Sequence, residues 1–354
     1  MKPIFIICLF FALLNTLPTK IQIDVEQTDQ INISYLADTV LAIPLKTTEF
    51  HLNSIDKVYM INDYIFILEL LEEDGVIYSY VLKFDLSGNF KGRIGERDSK
   101  SKEFLRVYDM KYDITKTYIF LVNSDGYRVY DDDGKLFAFY EGTGKSPGLR
   151  AVQEFIFNNQ VWMTKYSQKN GKIDINLIHS DLFGENEDTV LNYNIEPNKG
   201  NPVKLRLSQF SVNDKKMYIS FGIDNTLYLM SQNKLSPIYK VEFINLPKSS
   251  NINLDLTQSI IGHLIQNNYW FKSVSYDHLY NTETNKSFNI KYQYHKGQLI
   301  SGVRDDIYET GFFTINQTNQ EDYLYFVKNP EELTGSKLYD PKLRYSLLFL
   351  IKLK

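Results

Sequence analysis

Three copies of one strand–turn–strand unit set the strongest constraint on how this chain can fold. Residues 78–90 read Tyr-Ser-Tyr-Val-Leu-Lys-Phe-Asp-Leu-Ser-Gly-Asn-Phe, and residues 127–136 read Tyr-Arg-Val-Tyr-Asp-Asp-Asp-Gly-Lys-Leu. A weaker copy, residues 178–185, reads Ile-His-Ser-Asp-Leu-Phe-Gly-Glu. Each places Asp-x-x-Gly after an apolar or aromatic run, with the aspartates Asp85, Asp131 and Asp181 spaced 46 and 50 residues apart. Asp at the first position and Gly at the fourth suit a type I turn closing a hairpin. A hairpin recurring every 40–50 residues or so, with about four short strands per period, predicts the blades of a β-propeller.

Composition agrees. The chain holds 26 Tyr and 23 Phe against 2 Trp, and aromatic residues suit the pleated, half-buried surface of a strand. A formal net charge of −4 provides no electrostatic footprint for nucleic acid. The N-terminus reads Met1-Lys2-Pro3 followed by an apolar run from Ile4 to Leu14, the pattern of a secretory signal peptide and short of the ~20 residues of a membrane span. Residues 1–19 are read as that signal, 20–34 as a polar linker and 35–354 as one propeller domain. Cys8, the single cysteine, lies inside the apolar run after Ile7 and not behind it, so it is not placed as a lipid anchor. The mature chain is therefore expected to be exported, free of disulfides and thiol chemistry, and without a transmembrane segment.

Taken in order, the 39–45 stretch is β-prone but has no hairpin partner nearby, and it is predicted to complete the last blade, with Pro44 suiting an edge. Blade 1 is expected over residues 54–95, with strands at 55–61, 64–70, 77–85 and 90–94. Further blades are placed at 105–141, 151–193, 208–243 and 259–292, and a less regular last blade carries 312–315, 323–327 and the apolar C-terminus. Asn329-Pro-Glu-Glu-Leu has the chemistry of a helix start. This counting gives an all-β, six-bladed propeller, with seven blades as the alternative.

The opening Val40-Leu-Ala-Ile-Pro-Leu-Lys-Thr-Thr resembles the Ile-Pro-Leu-Glu-Thr-Thr start of exported bacterial six-bladed propellers of the NHL/TolB-like type. The segment from Lys83 to Gly95, Lys-Phe-Asp-Leu-Ser-Gly-Asn-Phe-Lys-Gly-Arg-Ile-Gly, and the closing Leu-Leu-Phe-Leu-Ile-Lys-Leu-Lys are similar to that group as well. The resemblance implies the fold across nearly the whole mature chain and names no activity. A Gly-Pro-Gly-Glu-like loop and an anchor cysteine common in the group are absent; the loop here runs from Gly95 to Glu103.

Dinucleotide, phosphate-loop, zinc-protease and serine-hydrolase motifs are all missing. The histidines His51, His179, His263, His278 and His295 are dispersed. Propeller sites gather where loops lead into the innermost strands. Those positions hold Arg106, Arg150, Lys204 with Arg206, His263, and Arg304-Asp305-Asp306. Arginines recurring there would form a basic ring for a carboxylate, sulfate or phosphate, or else solvated loop charges and inter-blade bridges. Asp305 and Asp306, with Asp109 or Glu154 from other blades, would alternatively supply oxygen ligands for Ca²⁺, as sugar-lactonase-like propellers do. The sequence thus points to a binding or scaffolding propeller without a cofactor, recognising a glycan, peptide or protein at the channel mouth. A Ca²⁺-dependent lactonase-like hydrolase or lyase stands as the alternative.

Overall fold

A computed structural model of the chain describes residues 17–24, 26–47, 52, 54–73, 76–94, 107, 109–113, 118–123, 126–141, 155–158, 160–169, 172–181, 186–195, 209–221, 225–231, 234–245, 261–272, 276–291, 293–295, 298–300 and 302–354. These residues form an all-β propeller. Blade 1 comprises the strands Ser54–Ile61, Tyr64–Glu73, Val76–Asp85 and Phe90–Ile94, each antiparallel to the next. Blade 2 follows with Asp109–Asp113, Tyr118–Asn123, Gly126–Tyr130 and Leu136–Glu141. Blade 3 has Phe155–Phe157, Gln160–Lys169, Lys172–Asp181 and Asp188–Ile195, and blade 4 has Gln209–Asn213, Lys216–Ser220, Thr226–Ser231 and Lys234–Ile244. Blade 5 has Ile261–Ile265, Asn268–Lys272, Tyr276–Asn281 and Lys286–Lys291. The strand boundaries expected for blade 1 agree with these to within a few residues.

The last four-stranded sheet joins both ends of the chain. Asn316–Gln317, Tyr323–Lys328 and Leu347–Leu353 are followed, at the outer edge, by Ala37–Pro44 from the N-terminal side. Between blade 5 and this sheet lies a seventh, three-stranded sheet of Ile31–Asn32, Val303–Asp305 and Gly311–Phe313. The described residues therefore contain seven blades when that smaller sheet is counted. A hairpin of Gln293–His295 and Gln298–Ile300 precedes it.

Period-two alternation explains why the sheets stack. In the second strand of blade 1, Ile65 and Ile67 pack toward the last sheet, against Tyr325, Leu348 and Leu350. The alternate residues Phe66 and Leu68 pack toward blade 2, against Met110, Ile119 and Leu121. All four are fully buried, so this strand reads as an unbroken apolar run. Each blade thus shares its core with its neighbours, as a repeat architecture requires. The first strands of neighbouring blades lie against one another, Asp109–Asp113 on Phe155–Phe157 and Gln209–Asn213 on Ile261–Ile265, which marks them as innermost.

The repeated Asp-x-x-Gly unit is built as its chemistry demands. Asp85 Oδ1 accepts from the backbone N–H of Ser87 at 3.0 Å and of Asn89 at 2.9 Å. Gly88 donates its N–H to the Asp85 carbonyl at 2.8 Å and holds φ of 76°, a left-handed conformation that glycine adopts freely. Asp131 repeats the pattern toward Asp133 and Lys135, with Gly134 at φ 87°. Both hairpins carry a register shift just before the turn, at Lys83/Phe84 and Val129/Tyr130. The third copy keeps its register shift at Leu177/Ile178, but Gly184 lies outside the described residues.

One expectation is corrected. Residues 20–34, read as a linker from their polarity, instead contribute strands to two sheets. Thr19–Asp24 adds a fifth strand to blade 4, parallel to Lys234–Ile244, and buries Ile21 and Ile23 against Tyr269 and Phe271 of blade 5. The chain then crosses blade 5, where the Asn289 side chain donates to the Gln27 carbonyl at 2.7 Å and the Asp29 N–H donates to the Asn289 carbonyl at 2.7 Å. Two apolar residues at alternate positions sufficed to seat this strand, and a polar background hid them. Of the signal peptide read over residues 1–19, residues 1–16 lie outside the described residues, as does the 95–103 loop, while Thr19 opens the strand paired with blade 4. Asn329 does open a short 3-10 turn, Pro330–Leu333, with its N–H donated to Glu332 Oε2 at 2.9 Å.

Candidate functional site

The innermost strands of blades 1 and 2 bring together a group of ionisable side chains. Strand geometry places Lys57 and Tyr59 on one face of Ser54–Ile61, and Asp109 and Lys111 on one face of Asp109–Asp113. These two faces meet. The Lys57 ammonium bonds Asp109 Oδ1, and the Lys111 ammonium lies 3.0 Å from Asp109 Oδ2. Tyr59 donates its hydroxyl to the Met110 carbonyl at 2.7 Å, fastening the two strands beside the ionic group. On the other side, Tyr325 of the last sheet donates to the Asp56 carbonyl at 3.0 Å. Asp56 occupies a register shift between Ile55 and Lys57, a local break of the kind that re-aims side chains.

Two ammoniums converge on one carboxylate, and the electrostatics follow from that count. Burial pushes the Asp109 carboxyl up, but Lys111 and Lys57 outweigh it and hold the group below the usual carboxylate range. Burial alone would depress the Lys57 ammonium; the Tyr59 hydroxyl and the Asp109 carboxylate outweigh that and raise it above the ordinary lysine value. The Tyr59 phenol is pushed up to about 12, chiefly by burial. Asp56 behaves oppositely to Asp109: its carboxyl is raised by partial burial and by the Asp109 charge, against a lowering by Lys57. Asp109 is nearly inaccessible at 8% side-chain exposure, whereas Lys57 retains 34%.

Of the residues anticipated from the sequence, Asp109 lies in this group, tied to two lysines, and the others fall elsewhere. Arg106, Arg150, Lys204, Arg206, Glu154 and His51 lie outside the described residues. His263 lies in Ile261–Ile265, the innermost strand of blade 5. Arg304 is exposed, in the seventh sheet, opposite Asn32. Asp305 is fully buried and organises a turn: its carboxylate accepts from the N–H groups of Ile307 and Tyr308 at 3.0 Å each and from Thr310 Oγ1 at 2.7 Å. Asp306 accepts from the Ser34 N–H at 3.0 Å and its hydroxyl at 2.5 Å. Partial burial, which raises the Asp306 carboxyl, is outweighed by these bonds, which lower it. These two carboxylates serve the seventh sheet and the N-terminal segment. Among the described residues, no group of three or more His, Cys, Asp or Glu could hold a metal ion.

Asp109 was anticipated as an oxygen ligand, but its pairing with Lys57 and Lys111 was missed by reading loops alone. Its signal is present in the sequence, as charged residues at alternate positions inside short β-prone stretches, but nothing local says that the two stretches face one another.

The family model described as a six-bladed β-propeller, DUF5128, matches residues 15–327. The chain belongs to the DUF5128 family. The match begins just ahead of Thr19–Asp24 and stops short of Leu347–Leu353, so the last sheet of this DUF5128 propeller is completed by a strand beyond it. A solved structure of a Bacteroides fragilis protein, named as an exported protein, covers 95% of this chain and 100% of its own at 16% identity, with a TM-score of 0.65. A member of the duf4221 family from Bacteroides vulgatus covers 90% and 97% at 12% identity, with a TM-score of 0.45. The first of these shares the fold of the DUF5128 chain. No curated protein matches the sequence. Among the described residues no helix is long and apolar enough to cross a membrane.

Proposed function

We propose that this DUF5128 chain is an exported, non-catalytic binding propeller that recognises a glycan, peptide or protein partner at the mouth of the central channel. One observation carries the reading over a Ca²⁺-dependent lactonase-like activity. The described carboxylates that such an activity would recruit are already engaged: Asp109 by two lysines, Asp305 by its own turn and Asp306 by Ser34. A carboxylate tied to two ammoniums is a poor donor to a dication, because both charges would have to be displaced. Export is supported by the basic start and apolar run of residues 1–14, and the NHL/TolB-like likeness by the Val40-Leu-Ala-Ile-Pro-Leu opening. The Bacteroides fragilis protein of the same fold is itself named as exported.

The test is thermal unfolding of the purified chain in EDTA, in Ca²⁺, and with glycan and peptide panels. A ligand binding only the folded state stabilises it by about 2.7 kcal/mol at a hundredfold excess over its dissociation constant. The expected result is no saturable shift with Ca²⁺ and a saturable shift with one member of a panel. A saturable Ca²⁺ shift accompanied by lactone or ester turnover would overturn the reading.

A further inference from the structure

The turn from the innermost strand to the second is short in three blades and long in the last sheet. Blade 1 makes it with Asn62-Asp63, blade 4 with Asp214-Lys215 and blade 5 with Gln266-Asn267. Positive φ at Asn62, Asp214, Lys215 and Gln266, between 49° and 57°, is the conformation of such tight hairpins. The last sheet takes five residues, 318–322, for the same connection. This longer turn is braced from within. The Thr318 hydroxyl accepts from the Gln320 N–H at 3.0 Å and donates to the Tyr323 carbonyl at 3.0 Å. Its tip reaches two other blades. The Asn319 side chain accepts from the Met60 N–H at 2.6 Å and donates to the Met60 carbonyl at 3.0 Å, and Gln320 donates to the same carbonyl at 2.8 Å. Glu321 Oε2 then accepts from the N–H of Asp214, in the turn of blade 4, at 2.8 Å.

Blade 4 is not next to the last sheet. Blade 5 and the three-stranded sheet separate the two on one side, and blades 1 to 3 on the other. Residues 319–321 therefore run from one wall of the ring to another, across the end at which the innermost strands finish. Burial first, and then the Asp214 and Glu321 charges, push the Tyr218 phenol up, so the Glu321 carboxylate lies near the second strand of blade 4. Its bond joins a charged acceptor to a backbone donor, which is the stronger kind of hydrogen bond. We propose that residues 318–322 form a floor closing the channel at this end, so that a partner enters only by the mouth where the innermost strands begin. This rests on the binding-propeller reading and adds the geometry of the partner. A channel with one mouth takes a chain end or a loop tip, and no polymer threads through it.

Hydrogen exchange and cross-linking test the floor, with the Cys8→Ser chain as parent. The Asp214 amide should exchange about tenfold faster or more in Glu321→Ala, and at the parent rate in Glu321→Gln, which keeps an acceptor oxygen. Bismaleimidoethane should join the two thiols of the Asp214→Cys, Glu321→Cys double variant, 107 positions apart in the chain. An Asp214 amide indifferent to Glu321→Ala in a folded protein, or no cross-link, overturns the floor. Entry is tested with a maleimide polyethylene glycol attached through Ser54→Cys or through Lys215→Cys, both exposed positions. Thermal unfolding is then repeated with the panel member that stabilises the parent. The polymer at position 54, at the start of an innermost strand, should abolish the shift, and the polymer at position 215, beneath the floor, should leave it unchanged. A shift lost at 215 or kept at 54 overturns entry by one mouth. If no panel member stabilises the parent, the binding reading falls, while exchange and cross-linking still decide the floor.

Discussion

Blades 1 and 4 share one four-strand plan but finish their outer edges differently. Blade 1 ends at Phe90–Ile94, a strand delivered by the Asp85–Gly88 turn immediately before it. Blade 4 continues past Lys234–Ile244 to a fifth strand, Thr19–Asp24, that arrives from the far end of the sequence. The first edge is closed by hydrogen bonds within five residues. The second is closed by burying Ile21 and Ile23, each 1% exposed, in the seam with blade 5. Local turn chemistry and distant apolar burial thus solve the same problem in separate parts of one fold.

The contrast is sharpest if the distant strand is broken. Ile21→Ala with Ile23→Ala is expected to cost about 2–5 kcal/mol per site. Urea unfolding would report this, and a loss below about 1 kcal/mol for the pair would mean that the strand rides on the blade without supporting it. On the local side, Gly88→Ala should be next. Its Cβ would sit 1.8 Å from the Pro44 carbonyl oxygen, and the φ of 76° disfavours any side chain, so about 3 kcal/mol is expected from strain plus displacement of the outer strand. Lys46 also donates its N–H to the Gly88 carbonyl at 2.8 Å, so the damage should reach the last sheet as well as blade 1.

Acid provides a third probe, on the blade 5 side of the same seam. His278 is fully buried between the rings of Phe271 and Phe243, at 5.0 and 5.6 Å, and burial lowers its pKa to about 3. The unfolded side chain takes up a proton near 6.5, while the folded one resists until about 3. Stability should therefore fall as pH drops through that window, by up to about 1.4 kcal/mol per unit. The depressed carboxyls Asp85, Asp109 and Asp306 keep their contributions until the pH falls below the ordinary carboxylate value of about 4. His278→Phe should flatten the slope between about pH 6.5 and 4.5 in pH-dependent urea melts, and an unaltered slope would place the acid sensitivity elsewhere. The smallest effect is expected at Gly134→Ala, about 1 kcal/mol. The φ of 87° is again unfavourable, but the new Cβ meets only the Ile94 side chain, at 3.1 Å, which can give way. Equal losses at Gly88 and Gly134 would show that backbone conformation, and not the contact with Pro44, sets the cost.

How far the sequence could be read depends on the range of the interaction. The hairpins at Asp85 and Asp131 were legible because an Asp side chain, a glycine and the intervening N–H groups fall within five residues. The second strand of blade 1 was legible from its apolar run, Pro44 from its missing donor, and the turn at Asn329 from its Asn-Pro-Glu-Glu pattern. These features by themselves determined an all-β propeller and placed most of its strands. Three things were decided only by the tertiary structure. Thr19–Asp24 chose the free edge of blade 4, Arg304-Asp305-Asp306 became part of a seventh sheet and a lock on Ser34, and Lys57 met Asp109 across two blades. Each depends on which of several equivalent edges and faces come together. A chain stretch advertises its own turns and alternation, but an edge strand or a lone lysine advertises only a demand, and the partner that satisfies it is selected by burial and charge once the blades are stacked.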